Sequence, residues 1–290
     1  MFQGIMTALV TPMSDGRVDE STLRDLVDWQ IEMGAAGLVP CGTTGESATL
    51  DYKEHERVTD IVVEQANKRV PVIAGTGSNS TWEAIKLTRH AKESGADAAL
   101  VITPYYNKPT QEGMYRHFEA VAKEADIPIL LYNVPGRTGI NLMPETVGRL
   151  AQIDNIIGIK DATNNIKQTL DTIDACDGEI VILSGDDFGN LSIMAVGGKG
   201  AISVTANVAP GLLSEFYAAW DRGDQERAAQ LQRRLHPLHC AMFFETNPIP
   251  AKWGVHLLGK CSDEIRLPMT PLDQKYRPEL EKIMKGLGLL

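Results

Sequence analysis

The chain has 290 residues, 43% hydrophobic and 23% charged, the balance of an ordinary globular protein. Its formal net charge of −10 advertises no basic face, which argues against nucleic-acid binding. No apolar run approaches the roughly 18 residues of a membrane-spanning helix, and the opening MFQGIMTALVTPMSDG lacks the basic n-region and long apolar core of a signal peptide. The four cysteines, Cys41, Cys176, Cys240 and Cys261, stand far apart with no CxxC pair. They read as reduced thiols, and the expected compartment is the cytoplasm.

In chain order, β-rich runs fall at 4–11 (GIMTALVT), 37–40 (GLVP), 71–75 (PVIAG), 98–103 (AALVIT), 128–133 (PILLYN), 156–161 (IIGIKD), 180–184 (IVILS) and 200–204 (GAISV). Amphipathic stretches at 20–33, 53–67, 81–94, 111–124, 144–151 and 166–175 separate them, and the link at 189–196 is the shortest. Strands alternating with crossover helices predict a parallel sheet, and eight such units in about 220 residues match a (β/α)8 TIM barrel. A doubly wound sheet is the rival, but no GxGxxG follows the first strand. Beyond about residue 225 three helical segments follow, at 223–243, 248–259 and 273–288. The expected organisation is a barrel over 1–224 and a small three-helix extension over 225–290.

In such a barrel the active site sits at the C-terminal ends of the strands. Those ends run into CGTTGES, GTGSNS, TPYYNKP, YNVPGRTG, KDAT, SGDD and SVTAN, whereas the opposite ends look like plain connectors. This asymmetry points to an enzyme. Lys160 is the sharpest member, since lysine is disfavoured in strands. By alternation Ile156, Gly158 and Lys160 share one side, and Gly158 beneath the lysine leaves room for a small ligand. Apolar walls favour a neutral amine able to attack a carbonyl; a lysine that merely snorkels at a strand end or pairs with a carboxylate is the plainer alternative.

The turn Cys41–Glu46 offers two hydroxyls and exposed backbone N–H groups that suit a carboxylate, or it is an ordinary capped turn. Cys41 is expected to pack, not to act as a nucleophile. Tyr105, Tyr106 and Tyr132 are proton shuttles or packing aromatics, and Arg137, between Gly136 and Gly139, is a carboxylate fork or a surface charge. GGKG at 197–200 precedes a strand and so lies on the wrong face for a phosphate loop; TANVAPG after the last strand is not glycine-rich, which disfavours a phosphorylated substrate. The six histidines lie in helical segments without a matching carboxylate pair, so no metal site is expected.

GTTGES at 42–47, TPYYNKP at 103–109, YNVPGRTG at 132–139, GIKDAT at 158–163, SGDD at 184–187 and NPIPAKW at 247–253 together carry a specific resemblance over essentially the whole chain. The sequence resembles the dihydrodipicolinate synthases (4-hydroxy-tetrahydrodipicolinate synthases) of the N-acetylneuraminate lyase superfamily of class I pyruvate aldolases. The resemblance implies that Lys160 forms a Schiff base with pyruvate, with no other cofactor, and that the resulting enamine attacks L-aspartate 4-semialdehyde in the first committed step of diaminopimelate and lysine biosynthesis. It assigns Thr43, Tyr106 and Tyr132 to a proton relay, Tyr106 being supplied by a neighbouring subunit. Thr44 and Gly45 would hold the pyruvate carboxylate, Arg137 the semialdehyde carboxylate, and Gly185 and Ile202 would line the pocket.

The implied assembly is a homotetramer, a dimer of tight dimers. An L-lysine feedback site maps to Ser47, Ala48, His55, Asn79, Glu83 and Tyr105, although Tyr52 replaces a histidine of some sensitive relatives. Many relatives carry glutamate where this chain has Asp161, which is expected to face away from the pocket. Two other readings stand: another pyruvate aldolase such as N-acetylneuraminate lyase, against which Arg137 speaks, and a non-catalytic barrel that senses a keto acid.

Overall fold

The computed structural model describes residues 2–290. Its main strands are β1 (Gly4–Ala8), β2 (Gly37–Val39), β3 (Ile73–Gly75), β4 (Ala98–Ile102), β5 (Ile129–Asn133), β6 (Ile156–Asp161), β7 (Val181–Ser184) and β8 (Gly200–Ser203). They form one sheet in the order β2-β1-β8-β7-β6-β5-β4-β3. Helices α1 (Glu20–Glu32), α2 (Tyr52–Ala66), α3 (Thr81–Ser94), α4 (Gln111–Ala125), α5 (Pro144–Leu150), α6 (Ile166–Ala175), α7 (Asn190–Ala195) and α8 (Pro210–Asp221) follow the strands in turn. This is the expected (β/α)8 barrel. A helical extension follows, made of α9 (Gln225–Ala241), α10 (Ile249–Leu257) and α11 (Arg277–Leu287). Among the described residues no helix is long and apolar enough to cross a membrane.

The chain divides into two compact units, one of the N-terminal residues to Gln3 with Val72–Ile202, the other of Gly4–Pro71 with Ser203–Leu290. In the first, strand residues Ala99, Val101, Ile129, Leu131, Ile159 and Ile182 share one buried core with Met114, Phe118, Val121 and Ala122 of α4. Strands buried on both faces read as continuous apolar runs, which is why these strands were legible without alternation. In the second unit β1 pairs with β2, Met6 opposite Gly37 and Ala8 opposite Val39. A buried amide network ties the unit together: Thr7 Oγ1 donates to Gln30 Oε1 (2.7 Å), and Gln30 Nε2 donates to the Ala206 carbonyl (3.0 Å).

Local chemistry explains where elements begin and stop. Strand β1 ends at Ala8, short of the predicted Thr11, because Asn207 Oδ1 captures the Val10 N–H (3.0 Å) and its Nδ2 donates to the Ala8 carbonyl (2.7 Å). Helix α2 starts at Tyr52 because Asp51 and Glu54 form a reciprocal capping box. A short hairpin, Met13–Ser14 with Arg17–Val18, was not anticipated. Its two-residue loop Asp15-Gly16 has φ of 52° and 76°, the positive-φ turn that Asp-Gly favours.

His117 on α4 is buried, its Nδ1 2.9 Å from Thr81 Oγ1 and its Nε2 without a hydrogen-bond partner. Burial pushes the imidazole down from 6.5 to about 4. Between these values the unfolded chain binds a proton that the native chain refuses, so stability falls as pH drops through the window, by on the order of 3 kcal/mol in all. His117→Gln is expected to flatten the loss of denaturation midpoint between pH 6.5 and 4. An equally steep loss in the variant would contradict this.

Candidate active site

Strands β5, β6 and β7 bring three predicted residues together. Tyr132 pairs with Lys160, and Lys160 with Leu183, one position before Ser184 and two before Gly185. Lys160 is only 6% exposed, its Nζ lies 4.2 Å from the centre of the Tyr132 ring, and among the described residues no carboxylate pairs with it. A Cβ on Gly185 would stand 3.0 Å from Lys160 Cγ and 2.8 Å from Ala162 Cβ, so this glycine leaves the lysine stem its channel.

The structure corrects the expectation for Gly158. A Cβ there would meet the Val181 carbonyl at 2.5 Å and Leu130 Cδ2 at 2.7 Å, so the neighbouring strands fill the space that a side chain at this position would take, and the glycine serves their close approach. The β5–β6 register also slips: Ile129 pairs with Ile156 but Leu130 with Gly158. This bulge puts Ile156 in the helix-facing core with Ile159, not on the Lys160 side. Asp161 does point away, as expected, and it works structurally. It accepts from Thr169 Oγ1 on α6 (2.7 Å), Thr163 Oγ1 (2.7 Å) and Thr163 N (2.8 Å), which fastens the strand end that carries Lys160.

Arg137 is exposed on a single helical turn, Pro135–Thr138, that follows β5. Asn133 closes the loop behind it: Nδ2 donates to Asn141 Oδ1 (2.8 Å) and the Leu142 carbonyl (3.0 Å), while Oδ1 accepts from Leu142 N (3.0 Å). Gln168 on α6 adds two further bonds to Asn141. Ile202 lies buried on β8, one position beyond the Ala201–Ser184 pair. Past Gly185, burial pushes the Asp186 carboxyl up to about 6, with a smaller push from Asp187.

Tyr106 is not brought to Lys160 or Tyr132. It is 87% exposed with φ of +69°, a left-handed backbone that costs a non-glycine residue energy. The loop is fixed by Asn107, whose N–H donates to the Tyr105 carbonyl (2.8 Å) and whose Nδ2 donates to the Asn79 carbonyl (2.9 Å). Glu83, at the start of α3, accepts from Ser78 Oγ (2.6 Å).

In the second unit the segment after β2 is a tight turn. Gly45 N donates to the Gly42 carbonyl (3.1 Å), and Glu46 N to the Thr43 carbonyl (3.2 Å). Thr43 is half-buried; Thr44 is buried and accepts from Asn247 Nδ2 at its Oγ1 (3.0 Å). Cys41 packs as expected: burial pushes its thiol up to about 12, and its Sγ donates to the His55 carbonyl. Ser47 and Ala48 form the one-turn 3-10 helix Ser47–Thr49, and His55 is buried on α2. Lys252 and Asn247 are partners of this turn that the sequence does not reveal, since nothing local to NPIPAKW names the turn it serves.

The family model for the dihydrodipicolinate synthetase family matches residues 1–287. The chain is 56% identical to the 4-hydroxy-tetrahydrodipicolinate synthase of Citrifermentans bemidjiense over the full length of both chains. The dihydrodipicolinate synthase of Acinetobacter baumannii, solved in complex with pyruvate, superposes with a TM-score of 0.98 at 49% identity, covering 100% of both chains. The lysine-bound enzyme of Cyanidioschyzon merolae gives 0.96 at 38% identity, covering 100% of this chain and 99% of the other. The chain belongs to the dihydrodipicolinate synthetase family.

Proposed function

We propose that this chain condenses pyruvate with L-aspartate 4-semialdehyde to give 4-hydroxy-tetrahydrodipicolinate, as a cytoplasmic enzyme of lysine biosynthesis. The observation that carries the mechanism is a buried amine with an aromatic face and, among the described residues, no paired carboxylate: Lys160 with Tyr132. The amine attacks the keto carbon of pyruvate and water leaves, forming an iminium that withdraws electrons from the methyl group. Loss of a methyl proton yields an enamine, whose carbon bonds to the aldehyde carbon of the second substrate. The amino group of that substrate then displaces Lys160 from the imine carbon, which closes the ring and frees the lysine. The covalent iminium supplies the carbanion stabilisation, so no separate cofactor enters this sequence.

Proton transfers fall to Tyr132, Thr43 and Tyr106. The exposure and held backbone of Tyr106 suit a residue offered to a neighbouring subunit, within a homotetramer built as a dimer of tight dimers. Thr44 and Gly45 take the pyruvate carboxylate, and Arg137 takes the semialdehyde carboxylate with its guanidinium fork. Gly185 and Ile202 line the pocket. We assign residues 1–224 to the catalytic barrel and 225–290 to the extension; the gap between α8 and α9 supports that boundary. Ser47, Ala48, His55, Asn79, Glu83 and Tyr105 are proposed to bind L-lysine as a feedback inhibitor, a reading supported by the lysine-bound relative.

Purified protein given both substrates is expected to form the cyclic product, and Lys160→Ala to form none; a wild-type chain that consumes neither substrate overturns the proposal. Arg137→Ala is expected to raise KM for the semialdehyde about 10- to 100-fold, the worth of a charge-assisted hydrogen bond, and to leave KM for pyruvate within about twofold. An unchanged semialdehyde KM would remove Arg137 from its role. Turnover is expected to fall in millimolar L-lysine, and unchanged turnover excludes the feedback site.

A further inference from the structure

Glu46 and Lys252 form an ion pair at 2.8 Å with side chains only 2% and 1% exposed. The two residues are distant in sequence, and both belong to the unit that carries the Thr43–Thr44 turn. Nζ of Lys252 also donates to the Thr11 carbonyl (2.5 Å) and the Glu264 carbonyl (3.0 Å), so its three donor directions are taken up by the protein. On the other side, Glu46 Oε2 accepts from Arg266 N (3.1 Å).

The pair is fastened to the turn from two directions. Glu46 closes the turn in a left-handed conformation, φ +59°, which a side chain rarely adopts without compensation. Thr11, whose carbonyl Lys252 holds, donates its own Oγ1 to the Gly45 carbonyl (2.7 Å). The turn has no slack, since a Cβ on Gly45 would stand 3.0 Å from Cys41 N and 3.1 Å from the Leu9 carbonyl. Thr44 Oγ1, accepting from Asn247, is left to donate its own proton elsewhere. A buried ion pair gains little over well-packed apolar residues, so stability alone is a weak reason to keep one here.

We propose that Lys252 and Glu46 are positioning residues that fix the Thr43–Gly45 turn in the shape that grips the keto-acid carboxylate. Neither touches substrate; both act by holding Gly45 and the Glu46 backbone. The inference rests on the reading that this turn binds the pyruvate carboxylate.

The test measures half-saturation by pyruvate of borohydride-trapped adduct, KM for the semialdehyde, and melting temperature. Its variants are Glu46→Asp, Lys252→Met and the neutral double variant E46Q/K252M. E46D keeps both charges and tolerates the left-handed backbone but shortens the reach, and it is expected to raise the pyruvate half-saturation about tenfold, the cost of a small misplacement. K252M alone strands a carboxylate and is expected to melt early. The double variant is expected to recover melting while its pyruvate half-saturation stays raised and its semialdehyde KM stays within about twofold of wild type. A purely structural pair would recover both melting and pyruvate half-saturation in the double variant, and normal pyruvate half-saturation in E46D and in the double variant overturns the proposal. Absence of adduct in the wild-type chain removes the carboxylate reading itself, a result distinct from an adduct whose saturation the variants leave unchanged.

Discussion

Water is almost wholly excluded from Lys160, and among the described residues no carboxylate compensates it; the rest of the site is arranged around that constraint. A polar group taken out of water without a partner costs free energy, and an aromatic face at 4.2 Å offsets part of that cost. A fold tolerates such a group when its neighbours over-determine the position. Here the strand register sets Lys160 beside Tyr132, Asp161 ties the strand end to α6 through Thr169, and Gly185 leaves the stem its path.

The other buried lysine makes the contrast plain. Lys252 has a carboxylate and two backbone carbonyls around its Nζ, and every part of its burial is compensated. Lys160 has the ring of a tyrosine. One amine is fully engaged by the protein, and the other has no paired carboxylate among the described residues. The same division runs through the carboxylates: Asp161 spends its oxygens on threonine hydroxyls and a backbone N–H, and Glu46 spends its own on Lys252 and Arg266.

The barrel was legible because its strands are short apolar runs with polar loops crowded at one end, a one-dimensional signature of a one-sided site. Lys160 stood out for the same reason, as a cation closing an apolar run. The departure at Ile156 has a definite cause: strict alternation assumes an unbroken ladder, and the bulge between Ile129 and Leu130 in the pairing breaks it; the crowding at Gly158 comes from Val181 and Leu130 on the two neighbouring strands, which its own strand does not reveal. The Asp15-Gly16 hairpin is legible in the sequence as an Asp-Gly turn. The Glu46–Lys252 pair was not legible, since no local pattern connects a turn after the second strand with a helix of the extension. Tyr106 was marked by its motif, but its 87% exposure and positive φ were not legible in the sequence.

The most direct measurement is a peptide map after incubation with pyruvate and reduction with borohydride. A single adduct on the peptide that contains Lys160, absent from Lys160→Ala, is the predicted result. An unmodified chain, or an adduct on any other lysine, would contradict the covalent mechanism.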